Sequence, residues 1–356
     1  MVNAEAAIQK LNEYVERGKT NAVAVVNQVM TEIPKDQVVP VERLYFGAED
    51  DRLRMRFTNQ TDGLTLHSNA LRQVAERTSI PTAYAEDLNQ TPWGRALLAV
   101  NLNENLSHRL AQDDRFLVRS LQSEARGFLS SRFRRLDSRP IVDALLGVAN
   151  QHGGVVASGF AGDVKVSLRI VMPEVRETFP GSGDFVVVGL DFSNSNYGAG
   201  ALNLSSFLLR LVCLNGAMVA ADYRKVHLGA RLDESVEYSE RTYALDTEAT
   251  VSAVTDMGRY LLGPARVEQV VDSIRAAAKT EIDPTRALAS IRKRLTKAES
   301  EAISAKYNSA DIVDLPAGQT AWRFSNAVSW LARETEDGAR RLDLEAMAGE
   351  FVPVAA

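Results

Sequence analysis

A single cysteine in 356 residues, Cys213, leaves the chain without an intrachain disulfide or a thiolate zinc site. It sits in the apolar run FLLRLVCLNG, where a thiol reads as a small buried hydrophobe rather than a nucleophile. A reducing cytoplasm is the expected compartment. The histidines are equally sparse. His67, His108, His152 and His227 stand singly, with none of the H-x-x-H, H-E-x-x-H or H-x-E spacings that zinc hydrolases need, so no metal is expected. No G-x-x-x-x-G-K-[ST] loop is present; GAGALNLSS lacks the third glycine of a dinucleotide fingerprint, and PGSGDF is shorter than a nucleophile elbow. No cofactor is therefore expected. The acid pairs Asp50-Asp51 and Asp113-Asp114 lie in polar loops and read as solvated. No apolar run reaches the roughly 18 residues of a membrane span. The opening MVNAEAAIQKLNEYVERG lacks the basic and apolar regions of a signal peptide, so a soluble protein with no membrane partner is expected. No residue set nominates a reaction; an enzyme is left open without an active site.

What is present is an ordinary globular composition. With 45% hydrophobic and 24% charged residues, the chain can bury a sizeable interior, and its length fits two or three packed units. The net charge of -5 argues against a surface coated in basic residues for duplex DNA, while leaving room for a local basic groove.

Periodicity divides the chain into an N-terminal mainly helical region (1–110), a central α+β core (111–245) and a C-terminal helical region (246–356). Ala7, Ile8, Leu11 and Val15 recur at helical spacing; GKTNAVAVVNQVMTEI then reads as a linker followed by a helix or strand that the period does not separate. Ser68 is placed to cap a helix carrying Leu71, Val74 and Ala75; Ile80-Pro81 breaks it, and a short second helix holds Tyr84 and Leu88. This helix, turn, helix pattern reads as a packing unit, because its exposed face is not basic. RFLVRSLQ and ARGFLSSRF are strand-like, and a helix begins near Ser138–Pro140 and ends at Gly153-Gly154. VVASGFAGDVKVSLRIVMP and DFVVVGLDFSNSNYG are rich in β-branched residues. FLLRLVCLNGAMVAA fits strand or helix, with Asn215-Gly216 as a turn signal. The last hundred residues read as amphipathic helices. The fold class expected is α+β: a central, mostly antiparallel sheet with flanking helices and helical terminal regions.

One segment stands out against the acidic background. Between Asp114 and Pro140 lie Arg115, Arg119, Arg126, Arg132, Arg134, Arg135 and Arg139, against three acids. Guanidinium forks suit phosphate, and strand residues two apart share a face. If Ser131 to Leu136 is extended, Arg132 and Arg134 point one way and Phe133 and Arg135 the other. Basic side chains interleaved with rings suit single-stranded nucleic acid, Phe128 and Phe133 being the candidate stacking residues. Arg224 and Lys225, in DYRKVHLGARL with His227 and Arg231, extend the candidate groove. An equal reading has the arginines pairing with nearby acids along a sheet edge. DFSNSNYGAG offers small hydrogen-bonding side chains and reads as a structural turn ahead of a ligand loop.

The blocks LHSNALRQVAERTSIPTAYAEDL, ARGFLSSRFRRLD, FLLRLVCLNGAM and TAWRFSNAVSWLA, over roughly residues 60 to 335, resemble a phage- and plasmid-encoded family that carries only a domain-of-unknown-function label. The resemblance implies a mobile-element setting, beside replication, recombination and anti-defence functions. It makes single-stranded nucleic acid the leading partner and a homo-oligomer the expected assembly. Phage single-strand annealing proteins share the outline of a small sheet, helices and a basic groove. The alternatives are an accessory, anti-defence or assembly protein acting through protein contacts, and a metal-dependent nuclease.

Overall fold

The computed structural model describes residues 3–58, 60–225, 239–311 and 314–352, and shows an α+β fold built on two sheets rather than one. The first helix, α1 (Ala4–Thr31), is capped by the Asn3 side chain, which accepts from the Ala6 amide at 2.9 Å. The expected linker at Gly18 is absent: α1 runs through it for 28 residues. Close packing explains this glycine, since a Cβ there would overlap the carbonyl oxygen of Ala157.

Strands β1 (Lys35–Pro40), β2 (Leu44–Glu49), β3 (Arg52–Phe57) and β4 (Leu64–Leu66) are followed by helices α2 (Ser68–Arg77), α3 (Thr82–Leu88) and α4 (Pro92–Arg109). The helix, turn, helix pattern is α2 and α3, packed on the first sheet; the cap of α2 is His67, whose Nδ1 accepts from the Asn69 amide, one residue ahead of the expected Ser68. The hairpin of β5 (Arg115–Leu121) and β6 (Glu124–Ser130) completes a sheet of order β1-β5-β6-β4-β3-β2, antiparallel except where β4 meets β6. The expected boundary at 110/111 thus falls inside a hydrogen-bonded sheet: β5 and β6 pair with strands from the region read as mainly helical.

After α5 (Ser138–His152), which ends at Gly153 in the left-handed conformation (φ 72°), come β7 (Val155–Ala161), β8 (Val166–Val171), β9 (Arg176–Glu177), β10 (Phe185–Asn194), β11 (Leu202–Arg210) and β12 (Asn215–Lys225). They form a wholly antiparallel sheet of order β12-β11-β10-β8-β7, with β9 beside β10. The run FLLRLVCLNGAMVAA resolves into the β11–β12 hairpin. Its turn lies before Asn215-Gly216, with Leu214 in the left-handed region at φ 59°. The helices that follow are α6 (Glu240–Leu261), α7 (Pro264–Lys279), α8 (Pro284–Ile291), α9 (Lys297–Tyr307), α10 (Ala321–Glu334) and α11 (Gly338–Gly349). The expected boundary at 245/246 falls within α6.

Strand periodicity assigns the two faces of the second sheet. Leu168, Ile170, Leu190, Phe192 and Leu204 point to α5 and α6, and Val186, Val188 and Leu208 to α7. The opposite face carries Phe185, Val187, Phe207 and Leu209 beneath the start of α1, and α11 crosses it over β12. Gly349 seats the end of α11 on β12, where a Cβ would overlap the Met218 carbonyl oxygen. No helix among the described residues is long and apolar enough to cross a membrane.

Replacing Gly18 by alanine should lower stability by about 1 to 3 kcal/mol through overpacking, whereas Gly147→Ala in α5, where a Cβ meets nothing within 4 Å, should raise it by about 0.5 to 1 kcal/mol; urea midpoints decide both. A pH test follows from α9. Arg340 of α11 binds Glu299 through two nitrogens at 2.8 and 2.7 Å and, with the Thr296 cap, holds its carboxyl down at about 2. This stabilisation is full above the ordinary carboxyl value of 4.5 and is lost as the pH falls through about 2. Glu299→Gln should flatten the acid side of the stability profile in that window.

Candidate functional site: an arginine hub and two clefts

The arginine island is one buried residue, four half-buried ones and two at the surface. Arg119 on β5 is 1% exposed, its Nε 2.7 Å from Asp36 Oδ1 and its Nη1 2.8 Å from Asp137 Oδ1, and Nη1 also donates to the Asn196 carbonyl at 2.6 Å. Asp36 faces it across the β1–β5 ladder. Burial acts to lower its pKa, but the two carboxylates outweigh it and hold the group above the ordinary arginine value. Arg126 pairs with Glu124 at 2.9 Å and Glu32 at 3.8 Å, over the ring of Tyr197. Arg134 meets Asp246 at 3.6 Å; Arg135 meets Asp36 at 3.1 Å and Glu240 at 2.9 Å, over the ring of Tyr243. Arg132 is half-buried, and Arg115 and Arg139 are exposed.

Two expectations are corrected. Residues 131–136 are not extended: β6 ends at Ser130, and turn hydrogen bonds Phe133 N to Ser130 O (2.9 Å) and Leu136 N to Arg134 O (2.9 Å) follow, so Arg132 and Arg134 do not share a strand face. Nor do the rings offer a stacking surface. Phe128 is 1% exposed and stacked on Phe116 at 4.6 Å, and Phe133 is 7% exposed against Leu117 and Leu129. Phe128 buries its ring on β6 itself, and Phe133 does so three residues past the strand's end. DFSNSNYG is the expected structural turn in its second half: Asn194 Nδ2 donates to the Leu136 carbonyl (2.8 Å), and Asn196 Oδ1 accepts from the Ser138 amide and hydroxyl (both 2.9 Å).

A different polar assembly lies on the second sheet. Cross-strand register places Ser167, Ser193, Asn203 and Arg224 in one row and Arg169, Asp191 and Ser205 in the next, on the face toward α1 and α11. Arg169 binds Asp191 Oδ1 through Nε at 2.8 Å and forms a two-pronged pair with Glu345 of α11, while lying 4.5 Å above the Phe207 ring. All three charged groups are buried. Burial pushes both carboxyls up while Arg169 draws them back, and the two carboxylates hold Arg169 well above its ordinary value despite desolvation. The sequence signal was present: polar residues at alternate positions in KVSLR, GLDFSN and LNLSS, inside otherwise apolar strands.

α11 divides this face into two clefts. The first, about 250 Å³, lies between α1 and α11 and is lined by Arg17, Arg169, Arg333 and Arg341, with Glu345 the one carboxylate among the described lining residues. Tyr14, Asn21, Ser158 and Ser167 add hydrogen-bonding groups. Arg333 is tied to Asp314 at 3.2 Å, whereas neither Arg17 nor Arg341 forms an ion pair among the described residues. The second cleft, about 550 Å³, opens over Asp191, Ser193, Asn203 and Ser205, with Arg224 at its edge. Arg224 is exposed on β12; the side chain of Lys225, together with His227 and Arg231, lies outside the described residues. Cys213 is buried as expected, and burial pushes its thiol up. No three potential metal-ligating side chains cluster among the described residues.

Residues 176–341 match the family model described as a domain of unknown function, DUF932. No curated protein and no solved structure matches the chain. The DUF932 match begins at β9 and ends within α11. It therefore takes in Asp191, Ser193, Asn203, Ser205, Arg333 and Arg341, and leaves the first sheet, Arg17 and Arg169 outside.

Arg119→Met removes a buried guanidinium from between an exposed and a half-buried carboxylate, Asp36 and Asp137, and should cost roughly 1 to 3 kcal/mol through the lost charge-assisted hydrogen bonds. Arg139→Ala, at an exposed position, should stay within about 0.5 kcal/mol. Chemical denaturation of the two variants checks both, and equal losses would refute a structural role for the island.

Proposed function

We propose that the protein is a binding protein for a phosphate-bearing ligand, held in the cleft between α1 and α11, and that a single nucleic-acid strand presents that ligand. The observation that supports this reading is the engagement of the first cleft's cations: of its four guanidinium groups Arg169 and Arg333 are ion-paired, whereas Arg17 and Arg341 line the cavity with no ion pair among the described residues. Planar forks converging on one cavity suit phosphate oxygens. A volume of about 250 Å³ suits a phosphate and part of its sugar better than a large cofactor. The mobile-element setting, recombination or annealing included, belongs to this proposal.

The interface differs from the arginine segment first singled out. Arg119, Arg126, Arg134 and Arg135 are ion-paired, so recruiting them for phosphate requires breaking those pairs. Arg17 and Arg341 carry no such cost.

Fluorescence anisotropy with a labelled single strand tests the reading. Affinity should fall as salt rises, with each lost phosphate contact reducing the logarithmic slope by about 0.7. The Arg17→Ala/Arg341→Ala double variant should bind at least about tenfold more weakly, in line with two lost charge-assisted hydrogen bonds. Salt-insensitive or absent binding, or an unaffected double variant, refutes it. Loss confined to an Arg132/Arg134/Arg135 triple alanine variant would return the interface to the island.

A further inference from the structure

The second cleft, on the other side of α11, has a floor that a sheet interior does not ordinarily carry. Ser193 and Ser205 are 8% and 6% exposed, and what exposure they keep is toward the cleft that they line. Both face the cavity of about 550 Å³, where a ligand or solvent can meet their hydroxyls. Asp191 adds an acceptor: its Oδ1 takes Arg169 Nε (2.8 Å) and the Ser167 hydroxyl (3.3 Å), which leaves Oδ2 for another donor. Asn203 uses its amide nitrogen on the Ala201 carbonyl at 3.1 Å, which leaves its side-chain oxygen.

The charges at the rim are asymmetric in their engagement. Of the lining acids, Glu350 is held by Arg294 at 2.6 Å and Asp343 by Arg340 at 3.8 Å. The lining cations Lys165 and Arg224 form no ion pair among the described residues. Arg224 stands opposite Asn203 in the β11–β12 ladder, at the end of the row Ser167, Ser193, Asn203. The cleft thus lines one cavity with hydroxyl and amide groups, one carboxylate oxygen and two cations that form no ion pair among the described residues. Vicinal hydroxyls, which donate and accept, match the serines, Asn203 and Asp191; a phosphate matches the cations.

We infer that the second cleft binds a phosphorylated sugar, the ribose phosphate unit of a nucleotide, whether free or within a strand. The site is distinct from the arginine cleft, since α11 is seated on β12 between them and Glu345 anchors it to Arg169.

Calorimetric titration of the full chain with ribose 5-phosphate, ribose, inorganic phosphate and a short oligoribonucleotide tests the inference. Ribose 5-phosphate should bind at least about tenfold more tightly than ribose or phosphate alone, because only it engages both halves of the cleft. Arg224→Ala should weaken it by about tenfold or more, and Ser193→Ala/Ser205→Ala by roughly five- to thirtyfold. Neither change strands a buried partner, so the variants should fold, which a thermal melt verifies. Arg341→Ala, in the other cleft, should leave ribose 5-phosphate binding unchanged, so failure of the first cleft's reading and failure of this one are told apart. If the oligoribonucleotide alone binds, with the same Arg224 and serine dependence, the unit is read within a strand and the inference stands. It is overturned if neither ligand binds, if phosphate binds as well as ribose 5-phosphate, or if Arg341→Ala costs as much as Arg224→Ala.

Discussion

A guanidinium with almost no solvent contact, that of Arg119, ties the molecule together. It sits on β5 of the first sheet. It donates to Asp36 on the neighbouring strand and to the Asn196 carbonyl in the turn between β10 and β11 of the second sheet, and forms an ion pair with Asp137 at the entry to α5. A buried charge of this kind is tolerated only when its donors are met, and meeting them requires the two sheets to come together in one arrangement. The same turn is held from the other side, where Asn69 and Gln73 of α2 donate to the Tyr197 carbonyl at 3.0 and 2.9 Å. Arg126 and Arg135 extend the network to Glu32 at the end of α1 and Glu240 at the start of α6.

This junction places the clefts. Once α1 is held at its C-terminal end and laid against β7 through Gly18, and α11 is seated on β12 through Gly349 and Glu345, a strip of the second sheet remains between and beside them. On that strip the side chains change from apolar, at Val187 and Leu209, to polar, at Asp191, Ser193 and Ser205. Helices cover the apolar part, where burial is favourable, and the polar part borders cavities where its groups can be met by ligand or solvent.

Much of the architecture was legible from period and capping chemistry. The hairpin of β5 and β6, the start of α5 near Ser138, its end at Gly153, and the helical C-terminal third all follow from local rules. Local rules failed where a distant contact decides. Gly18 resembles a helix breaker, yet it continues α1 because only a residue without Cβ fits against Ala157. Residues 131–136 resemble a strand, yet they turn, because Phe133 is drawn into the cluster with Leu117 and Leu129 while Arg134 and Arg135 reach α6.

The amino-acid order by itself determined the α+β class, the glycine stop of α5 at Gly153, the alternation of polar residues in β8, β10 and β11, and the density of arginines before Pro140. Only the tertiary structure decided what each arginine meets. Arg119, buried between carboxylates, and Arg341, beside a cavity without an ion pair, carry the same side chain. A guanidinium's role is set by the dielectric and the acceptors around it, and those are supplied by residues far away in the chain.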